Sequence, residues 1–362
     1  MVLAAYVSGH GWGHAMRTAE VLRAVRERAP KLKIAVATDA PAFLFERAVA
    51  PPLAMRAVRV DVGLRQRDPL VIDEEATVAA WRAFVATWDD RVAAEARWLR
   101  ETGVTTVLGD IPPLAFAAAK VAGVRAIGLG NFSWDWIYAH MADRRAALAA
   151  AAAWAREAYH SAALLLRLPF AGDLAAFPQI EDIPLVVRRP RLDKTEARRR
   201  LGLDARPAVL LAFGGIDFPG LRLAAFAERT NCQVLFAGRP PAAEAPGRVR
   251  LFDAAELDAA GLGFPDLVGA ADVVVTKPGY GIVSDCIGAR TRLVYTERGD
   301  FPEYPIMVSE MPRYLPAVHA SNDELREGRI AAAVARVLAI PWPEPPRTDG
   351  SIVAAERILA RT

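Results

Sequence analysis

Short β-rich runs alternate with helix-patterned stretches such as Arg17–Arg28 and Thr77–Arg100 along this chain. Such alternation is typical of parallel sheets covered by helices, so we predict an α/β protein. The predicted strands are Val2–Val7, Lys33–Thr38, Val104–Leu108, Arg125–Leu129 and Ala163–Leu168 in the first half, and Ala208–Phe213, Gln233–Phe236, Val249–Phe252, Asp272–Thr276, Arg292–Tyr295 and Tyr314–Val318 in the second.

The length of 362 residues exceeds the size at which one hydrophobic core usually stops growing. The pattern lapses into a proline- and charge-rich stretch, Pro169–Pro190, before it resumes. We therefore predict two Rossmann-like parallel-sheet domains. The expected boundaries are 1–170 for the first domain, 171–192 for an interdomain linker, 193–340 for the second domain and 341–362 for a further linker and terminal helix.

Composition narrows the class of protein. Hydrophobic residues make up 53% and the net charge is only +3, which favours an ordered protein that does not bind nucleic acid. Cys232 and Cys286 match neither a disulfide framework nor a zinc site, so we expect a reducing, cytoplasmic setting. We expect no signal peptide, because the strand-like run VLAAYV stands at the start without a basic region before it. We expect no transmembrane segment, because charged residues interrupt the apolar tract Ala146–Leu168. Peripheral membrane contact stays open, and the sequence carries no signal for oligomeric state.

The loop VSGHGWGHAMRT follows the first predicted strand, at the edge of the sheet where ligands bind in such folds. Gly11 and Gly13 permit close approach by a ligand, and His10 and His14 supply imidazoles, the side-chain type that is able to titrate near neutral pH. A functional loop and a glycine turn whose histidines cap the helix are both consistent with the spacing. The loop does not satisfy G-x-G-x-x-G, which argues against a dinucleotide site.

Two loops of the second half also follow predicted strands, at the edge of the sheet where ligands bind. Lys277 and Gly279–Gly281 follow the strand Asp272–Thr276, and Gly279, Tyr280 and Gly281 stand at a predicted helix start that suits a diphosphate. Asp285 lies one turn further, where a carboxylate can accept from ribose hydroxyls. Each of these residues also fits an ordinary turn and helix start. In the third loop, Gly214 and Gly215 permit backbone approach to a ligand.

These motifs carry a resemblance. The glycine/histidine loop, the GG loop and PGYGIVSD followed by ERGDFPEY resemble the donor-site layout of GT-B glycosyltransferases. The C-terminal pattern is similar to that of the UDP-N-acetylglucosamine transferase of peptidoglycan synthesis, which implies that Gly279–Gly281, Ser284 and Asp285 hold UDP. SGHGWGHAMR, GDIPPLAFAAAK and GLGNFSWDWIYA resemble the glycosyltransferase-like N-terminal domain of plant L-arabinokinases. No ATP loop of the kinase type follows residue 340, so we expect no sugar-kinase activity.

A third resemblance changes the expected reaction. GWGHAMR, which includes Arg17, is similar to the GxGHxxR loop of nucleotide-sugar hydrolases of the pseudaminic acid pathway. The resemblances imply His14 as the base, with His10 second. Asp110, at the end of the third predicted strand, is a candidate to orient a histidine or, alternatively, an N-cap of the next helix. No DxD motif stands at a strand end, so we expect no metal.

Further candidates are expected to bind the sugar or the acceptor. Asn131, Trp134 and Asp135 follow the fourth predicted strand and resemble a sugar platform, although a core role for a tryptophan is an equally ordinary interpretation. Asp300 and Glu303 stand where related transferases read donor-sugar hydroxyls. With Gly11, Gly13 and Arg17 they complete the predicted sugar and acceptor site.

The resemblance implies a metal-independent glycosyltransferase of hexosyl or N-acetylhexosaminyl type. It would transfer a sugar from a UDP-sugar, which is a co-substrate, to an unidentified acceptor, and we expect no cofactor. Hydrolysis of the same nucleotide-sugar is the alternative reaction. A catalytically silent sugar-nucleotide sensor is the alternative of another class.

Overall fold

A computed structural model describes residues 1–67, 71–213, 221–238 and 249–362. Within these ranges each half of the chain forms one parallel sheet. The strands of the first half are β1 (Val2–Val7), β2 (Lys33–Thr38), β3 (Leu53–Ala57), β4 (Thr106–Asp110), β5 (Arg125–Gly130), β6 (Leu164–Arg167) and β7 (Ile180–Asp182). Their order across the sheet is β3-β2-β1-β4-β5-β6-β7.

Helices connect these strands and cover the sheet. In the first half they are α1 (Trp12–Arg28), α2 (Phe43–Glu46), α3 (Glu74–Val85), α4 (Trp88–Glu101), α5 (Pro113–Ala122), α6 (Trp134–His140) and α7 (Ala146–Tyr159). The strands of the second half are β8 (Ala208–Ala212), β9 (Gln233–Ala237), β10 (Val249–Phe252), β11 (Val273–Thr276), β12 (Arg292–Tyr295) and β13 (Ala317–His319). In the part that is described, their order is β10-β9-β8-β11-β12-β13.

The second half carries the remaining helices: α8 (Lys194–Arg200), α9 (Leu223–Glu228), α10 (Ala254–Ala259), α11 (Phe264–Ala270), α12 (Tyr280–Ala289), α13 (Glu303–Glu310), α14 (Asn322–Arg326), α15 (Ala331–Ala339) and α16 (Gly350–Leu359). A 3₁₀ turn, Met311–Arg313, follows α13. The predicted α/β class with two Rossmann-like parallel sheets is confirmed.

Three local features differ from the sequence prediction. β3 and β7 were not predicted, since β3 has the sequence LAMRA, without a β-branched residue, and β7 has only three residues; both lie at edges of the sheet. β7 also lies inside the range 171–192 that was predicted as linker. The predicted helix Thr77–Arg100 is two helices, α3 and α4. Asp89 and Asp90 in the first turn of α4 favour a helix start there through the helix dipole.

Both sheets place a crevice at the carboxyl ends of their central strands. In the first sheet β1 has β2 on one side and β4 on the other, and in the second β8 has β9 and β11 on its two sides. Neighbouring connections therefore leave in opposite directions at β1/β4 and at β8/β11, which is where open α/β sheets bind ligands. The loop after β1 and the loop after β11 occupy these two places.

The two halves pack against each other through helices and the segment that joins them. α1 packs against α12 of the second half and against the terminal helix α16. One hydrophobic cluster runs from Leu3 in β1 through Ile183 and Val187 to Leu210 in β8. Within the described ranges, no helix is both long and apolar enough to cross a membrane.

Candidate active site

Four buried polar side chains meet where β1 and β4 end. Asp110, the last residue of β4, has no exposed surface and accepts from three side chains of α1. His14 Nδ1 lies 2.8 Å from Asp110 Oδ1, and Thr18 Oγ1 donates to Oδ2 over 2.6 Å. Arg17 donates from Nε to Oδ2 over 2.7 Å and from Nη2 to Oδ1 over 2.5 Å. The spacing of His14, Arg17 and Thr18 puts them on one face of the helix.

This arrangement decides between the two interpretations of Asp110 and of the first loop. The N-cap residue of α5 is Pro112, so Asp110 does not cap that helix. The N-cap of α1 is Gly11, at φ 74°, and no side chain caps it, so neither histidine has the alternative capping role. The structure instead brings Asp110 and His14 together as a hydrogen-bonded pair.

The charge of Asp110 is stabilised by its partners. Burial alone would raise the pKa of this carboxyl, but the Arg17 guanidinium and His14 outweigh burial and hold the pKa well below its ordinary value. An ionised Asp110 can only accept hydrogen bonds. The short contact with His14 therefore favours the neutral tautomer that carries its proton on Nδ1. In that tautomer Nε2, which has no hydrogen-bond partner among the described residues, is a free base.

A second group of polar contacts leads from Arg17 into the other domain. Arg17 Nη1 donates to Asn131 Oδ1 over 2.7 Å, and Asn131 Nδ2 donates to Glu303 Oε1 over 2.6 Å. Arg298 Nη1 donates to Glu303 Oε2 over 2.7 Å. Asn131 is fully buried and Glu303 is 2% exposed. Glu303, predicted to bind sugar hydroxyls, has both carboxylate oxygens engaged in this network.

His10 occupies a slot beside the pair. Its Nδ1 accepts the backbone N–H of Leu64 over 3.3 Å, and its ring meets Trp134 edge-on at 5.3 Å between centroids. Burial, together with the nearby positive charge of Arg298, lowers the pKa of His10 to about 3, so its imidazole is neutral at physiological pH. His10, the second candidate for the base, thus uses Nδ1 to accept from the backbone and packs its ring against Trp134.

Gly63 forms the floor of that slot. Its φ is +63°, and a β-carbon there would lie 2.7 Å from His10. We expect Gly63→Ala to destabilise the fold, since the left-handed conformation costs an alanine about 1 kcal/mol and the clash about 1–3 kcal/mol more. Urea denaturation measures this loss.

Gly103→Ala is the matched control for that substitution. Gly103 also has a positive φ, +67°, but nothing lies within 4 Å of its added β-carbon. It should lose only the conformational term, about 1 kcal/mol. Equal losses in the two variants would contradict a close fit of His10 against Gly63.

The second domain presents the start of α12 to this cluster. Gly279 is the N-cap residue without a side-chain cap, which leaves backbone N–H groups of the first turn free to bind a ligand. A β-carbon at Gly281 would lie 3.5 Å from Gly13 Cα, and one at Gly279 would lie 3.6 Å from Arg298 Nη1. The starts of α1 and α12 thus face each other across the domain boundary. Among the described residues, no cluster of three or more His, Cys, Asp or Glu side chains suits a metal ion.

Comparisons with known proteins agree with this architecture. No family model matches the chain. The chain is 32% identical over 345 residues to L-arabinokinase from Arabidopsis thaliana, a match that covers 94% of this chain and 32% of that protein's length. The structure of Arabidopsis thaliana UGT89C1 complexed with UDP covers 99% of this chain and 94% of its own, with a TM-score of 0.64 and 13% identity.

A second solved structure, glycosyltransferase VinC in complex with DTDP, covers 100% of this chain and 95% of its own, with a TM-score of 0.56 and 14% identity. Both matches extend across the two sheets and the segment between them. This chain has the GT-B fold. The resemblance to the UDP-N-acetylglucosamine transferase of peptidoglycan synthesis stays a prediction.

Within this GT-B fold, two residues of α12 have surroundings other than a ribose site. Asp285 is 1% exposed and forms a two-point ion pair with Arg188, whose Nε donates to Asp285 Oδ1 over 3.0 Å. Burial raises the pKa of Asp285 in spite of that cation. Ser284 donates back to the carbonyl of Gly281 over 2.9 Å. Asp285 thus connects the interdomain segment to α12. This role could not be predicted from the sequence, because its partner Arg188 is 97 positions away.

Tyr280 also joins the halves of this GT-B chain. Its hydroxyl accepts the backbone N–H of Val186 over 3.1 Å, and its ring lies 5.5 Å from the Arg17 guanidinium carbon. Lys277 follows β11, and its charge contributes to the lowered pKa of His10. Gly214 and Gly215 lie outside the described residues.

Two predicted sugar-binding residues are enclosed in the first domain. Trp134 has no exposed surface, so it offers no open ring face, and the alternative core interpretation is the one that the structure supports. Asp135 is 3% exposed; it accepts from Ser133 Oγ over 2.5 Å and faces Arg156 at 3.3 Å. Neither side chain is available as the predicted platform, because helix α7 and the core of the GT-B domain cover them.

Asp300 lies at the domain boundary but on its exposed side. Its carboxylate contacts His140 Nε2 and Arg144 Nη2, each at 2.8 Å, and the hydrogen bond from His140 holds the pKa of Asp300 below its ordinary value. Both partners belong to the first domain. Asp300 therefore bridges the two halves of the GT-B fold in this structure.

Asp61 is a buried carboxylate that sequence reasoning missed. It lies in the segment after β3, is 5% exposed and accepts from Trp134 Nε1 over 2.9 Å. Burial raises the pKa of Asp61 to about 6, although hydrogen bonds from Ser8 and Trp134 oppose the shift. The sequence offered little signal for it, because the preceding strand β3 was itself not predicted.

Proposed function

We propose that this protein is a glycosyltransferase that moves a sugar from a UDP-sugar to an acceptor hydroxyl, with His14 as the base. The observation that carries the proposal is the pair His14–Asp110 at the crevice of the first sheet, facing the start of α12 at the crevice of the second. A reaction at the domain boundary would use groups from both sides. The acceptor then belongs to the first domain and the nucleotide to the second.

His14 would remove the proton from the attacking hydroxyl. Its Nε2 has a free lone pair when Nδ1 donates to Asp110. As Nε2 takes the proton the ring becomes an imidazolium, and the ionised Asp110 at 2.8 Å stabilises that charge. The hydroxyl oxygen bonds to the anomeric carbon while the bond from that carbon to the UDP oxygen breaks.

The second domain would stabilise the leaving diphosphate. The backbone N–H groups at the start of α12 suit an anion, and the Arg298 guanidinium stands beside Gly279. Together these groups offer positive potential without a metal ion, which supports metal-independent transfer. UDP as the nucleotide is supported by the GT-B fold and by the solved relative whose complex holds UDP.

A ligand panel followed by turnover assays tests the proposal. UDP at a hundred times its dissociation constant should stabilise the fold by about 2.7 kcal/mol, seen as a raised melting temperature. UDP-sugars should then turn over only when an acceptor is present. A shift with another nucleotide but none with UDP would contradict the donor assignment.

The turnover assay also separates the two alternatives. Release of UDP at full rate without an acceptor would identify hydrolysis, since water can use the same base. Binding of UDP without turnover of any UDP-sugar would instead favour a sensor.

A further inference from the structure

A continuous chain of hydrogen bonds joins the catalytic pair to the second domain. It runs from His14 and Asp110 through Arg17 and Asn131 to Glu303, which also accepts from Arg298. Each link measures 2.6–2.8 Å, apart from the 2.5 Å contact between Arg17 Nη2 and Asp110. Because the side chains from His14 to Glu303 are nearly or fully buried, water cannot readily replace a lost partner.

Arg17 is placed to disturb the catalytic pair as well as to support it. Its Nη2 lies 2.5 Å from Asp110 Oδ1 and 3.1 Å from His14 Nδ1. Nδ1 cannot donate to Asp110 and accept from Arg17 in the same tautomer. Donation to Asp110 leaves Nε2 free as a base, whereas acceptance from Arg17 puts the proton on Nε2 and removes the base.

The contact between Arg17 and Asn131 depends on the orientation of the Asn131 amide. A guanidinium only donates, so Arg17 Nη1 requires the amide oxygen; a carboxylate only accepts, so Glu303 requires the amide nitrogen. Among the described residues of the first domain, the amide nitrogen has only the carbonyl of Phe170 as a partner, at 3.4 Å. The stronger contact of the amide nitrogen is therefore the one with Glu303. The ring of Tyr280, also in the second domain, packs on the Arg17 guanidinium.

We propose that Glu303 is a positioning residue which, through Asn131 and Arg17, selects the His14 tautomer with its proton on Nδ1. This inference rests on the proposed function, since it takes His14 as the base. The base is complete only when the second domain is seated against the first. In an enzyme of this design, His14 does not act as a base while the two domains are apart.

Exchanging the amide of residue 131 and the carboxylate of residue 303 tests the proposal, because the exchange restores the hydrogen bond between the two residues with donor and acceptor reversed. In Glu303→Gln the amide oxygen of residue 303 accepts from Arg298. The amide nitrogen of residue 303 then faces the amide nitrogen of Asn131, and two donors cannot form a hydrogen bond with each other. In Asn131→Asp two carboxylates face each other. In the double variant, Arg17 and the amide nitrogen at 303 both donate to the new carboxylate, and the net charge equals that of the wild type.

Turnover is the first measurement. Each single variant should lower kcat by about 10- to 100-fold while KM for the donor stays within about threefold, and the double variant should recover most of the loss. Glu310→Gln, on the same helix α13, is the matched control and should turn over as the wild type does. Loss in both singles without recovery in the double variant would overturn the proposal.

The second measurement does not depend on turnover. Histidine ¹⁵N NMR of the full chain with UDP reports the His14 tautomer, assigned through His14→Gln. The wild type and the double variant should carry the proton on Nδ1, and Glu303→Gln should gain the Nε2-protonated form. An unchanged tautomer in Glu303→Gln would overturn the inference even where His14 proves essential. If the single variants do not fold, a folded double variant with the wild-type tautomer and kcat supports it, and one with the other tautomer overturns it.

The proposed function fails through other results. Full turnover in His14→Gln, or no turnover of any UDP-sugar by the wild type, would reject the catalytic role of His14. The tautomer measurement would still decide the effect of Glu303.

Discussion

Replacing His14 by glutamine should lower the turnover of a UDP-sugar by roughly 10²–10⁴-fold, the usual contribution of a general base. Glutamine fills a similar volume and can still donate to Asp110, whose Oδ1 lies 2.8 Å from the present ring nitrogen. It cannot take up a proton near neutral pH. The affinity for UDP should stay within about twofold of the wild-type value, because the proposed nucleotide site lies in the second domain. Steady-state kinetics and calorimetric titration with UDP measure the two quantities.

His160→Gln is the control for this substitution, since His160 is exposed after α7 and lies outside the cluster at the domain boundary. It should change neither turnover nor UDP affinity. Retention of full turnover in His14→Gln would reject His14 as the base. Loss of UDP binding in that variant would mean instead that the first domain holds the nucleotide.

The sequence predicted the arrangement of the sheets because strand signals in this chain are local. The central strands β1, β4, β8 and β11 are fully or almost fully buried and rich in apolar residues, so their pattern is visible without knowledge of the fold. Edge strands lack that signal. The half-exposed β3 and the three-residue β7 could not be told from loops.

Some of the site residues could be predicted from the sequence, and others could not. His14 could be proposed because its loop resembles the loops of known nucleotide-sugar enzymes. Asp110 could be proposed because it stands at the end of a predicted strand, and parallel strands bring their carboxyl ends to one edge. Burial and distant partners could not be predicted. Trp134 resembled a sugar platform but lies in the core. Glu303 accepts a hydrogen bond from Asn131, which is 172 positions away in sequence.

Asp110→Asn should cost both stability and activity. The substitution leaves Arg17, which is 5% exposed, without the carboxylate that balances its charge, and breaking a buried ion pair typically costs about 3–5 kcal/mol. It also removes the charge that stabilises the His14 imidazolium, so turnover should fall on the order of 10³-fold. Urea denaturation at pH 7 and steady-state kinetics measure the two losses.

The pH dependence identifies the carboxylate as the cause of the stability loss. The pKa of Asp110 is held below its ordinary value in the folded protein. A depressed pKa contributes stability that is present above the unfolded pKa, about 3.9, and is lost as the pH falls towards the folded pKa. The difference in unfolding free energy between wild type and Asp110→Asn should therefore shrink between pH 7 and pH 3. A difference that is the same at both pH values would contradict an ionised Asp110.

A double variant separates the unpaired charge from the lost catalytic group. Arg17→Met together with Asp110→Asn removes both members of the buried ion pair, and an apolar side chain can occupy the space of the guanidinium. Because the main penalty in Asp110→Asn is the uncompensated Arg17 charge, the double variant should be more stable than that single variant. Turnover should stay low, since His14 still lacks its carboxylate partner. Recovery of turnover together with stability would mean that Asp110 serves the fold alone and that another group supports His14.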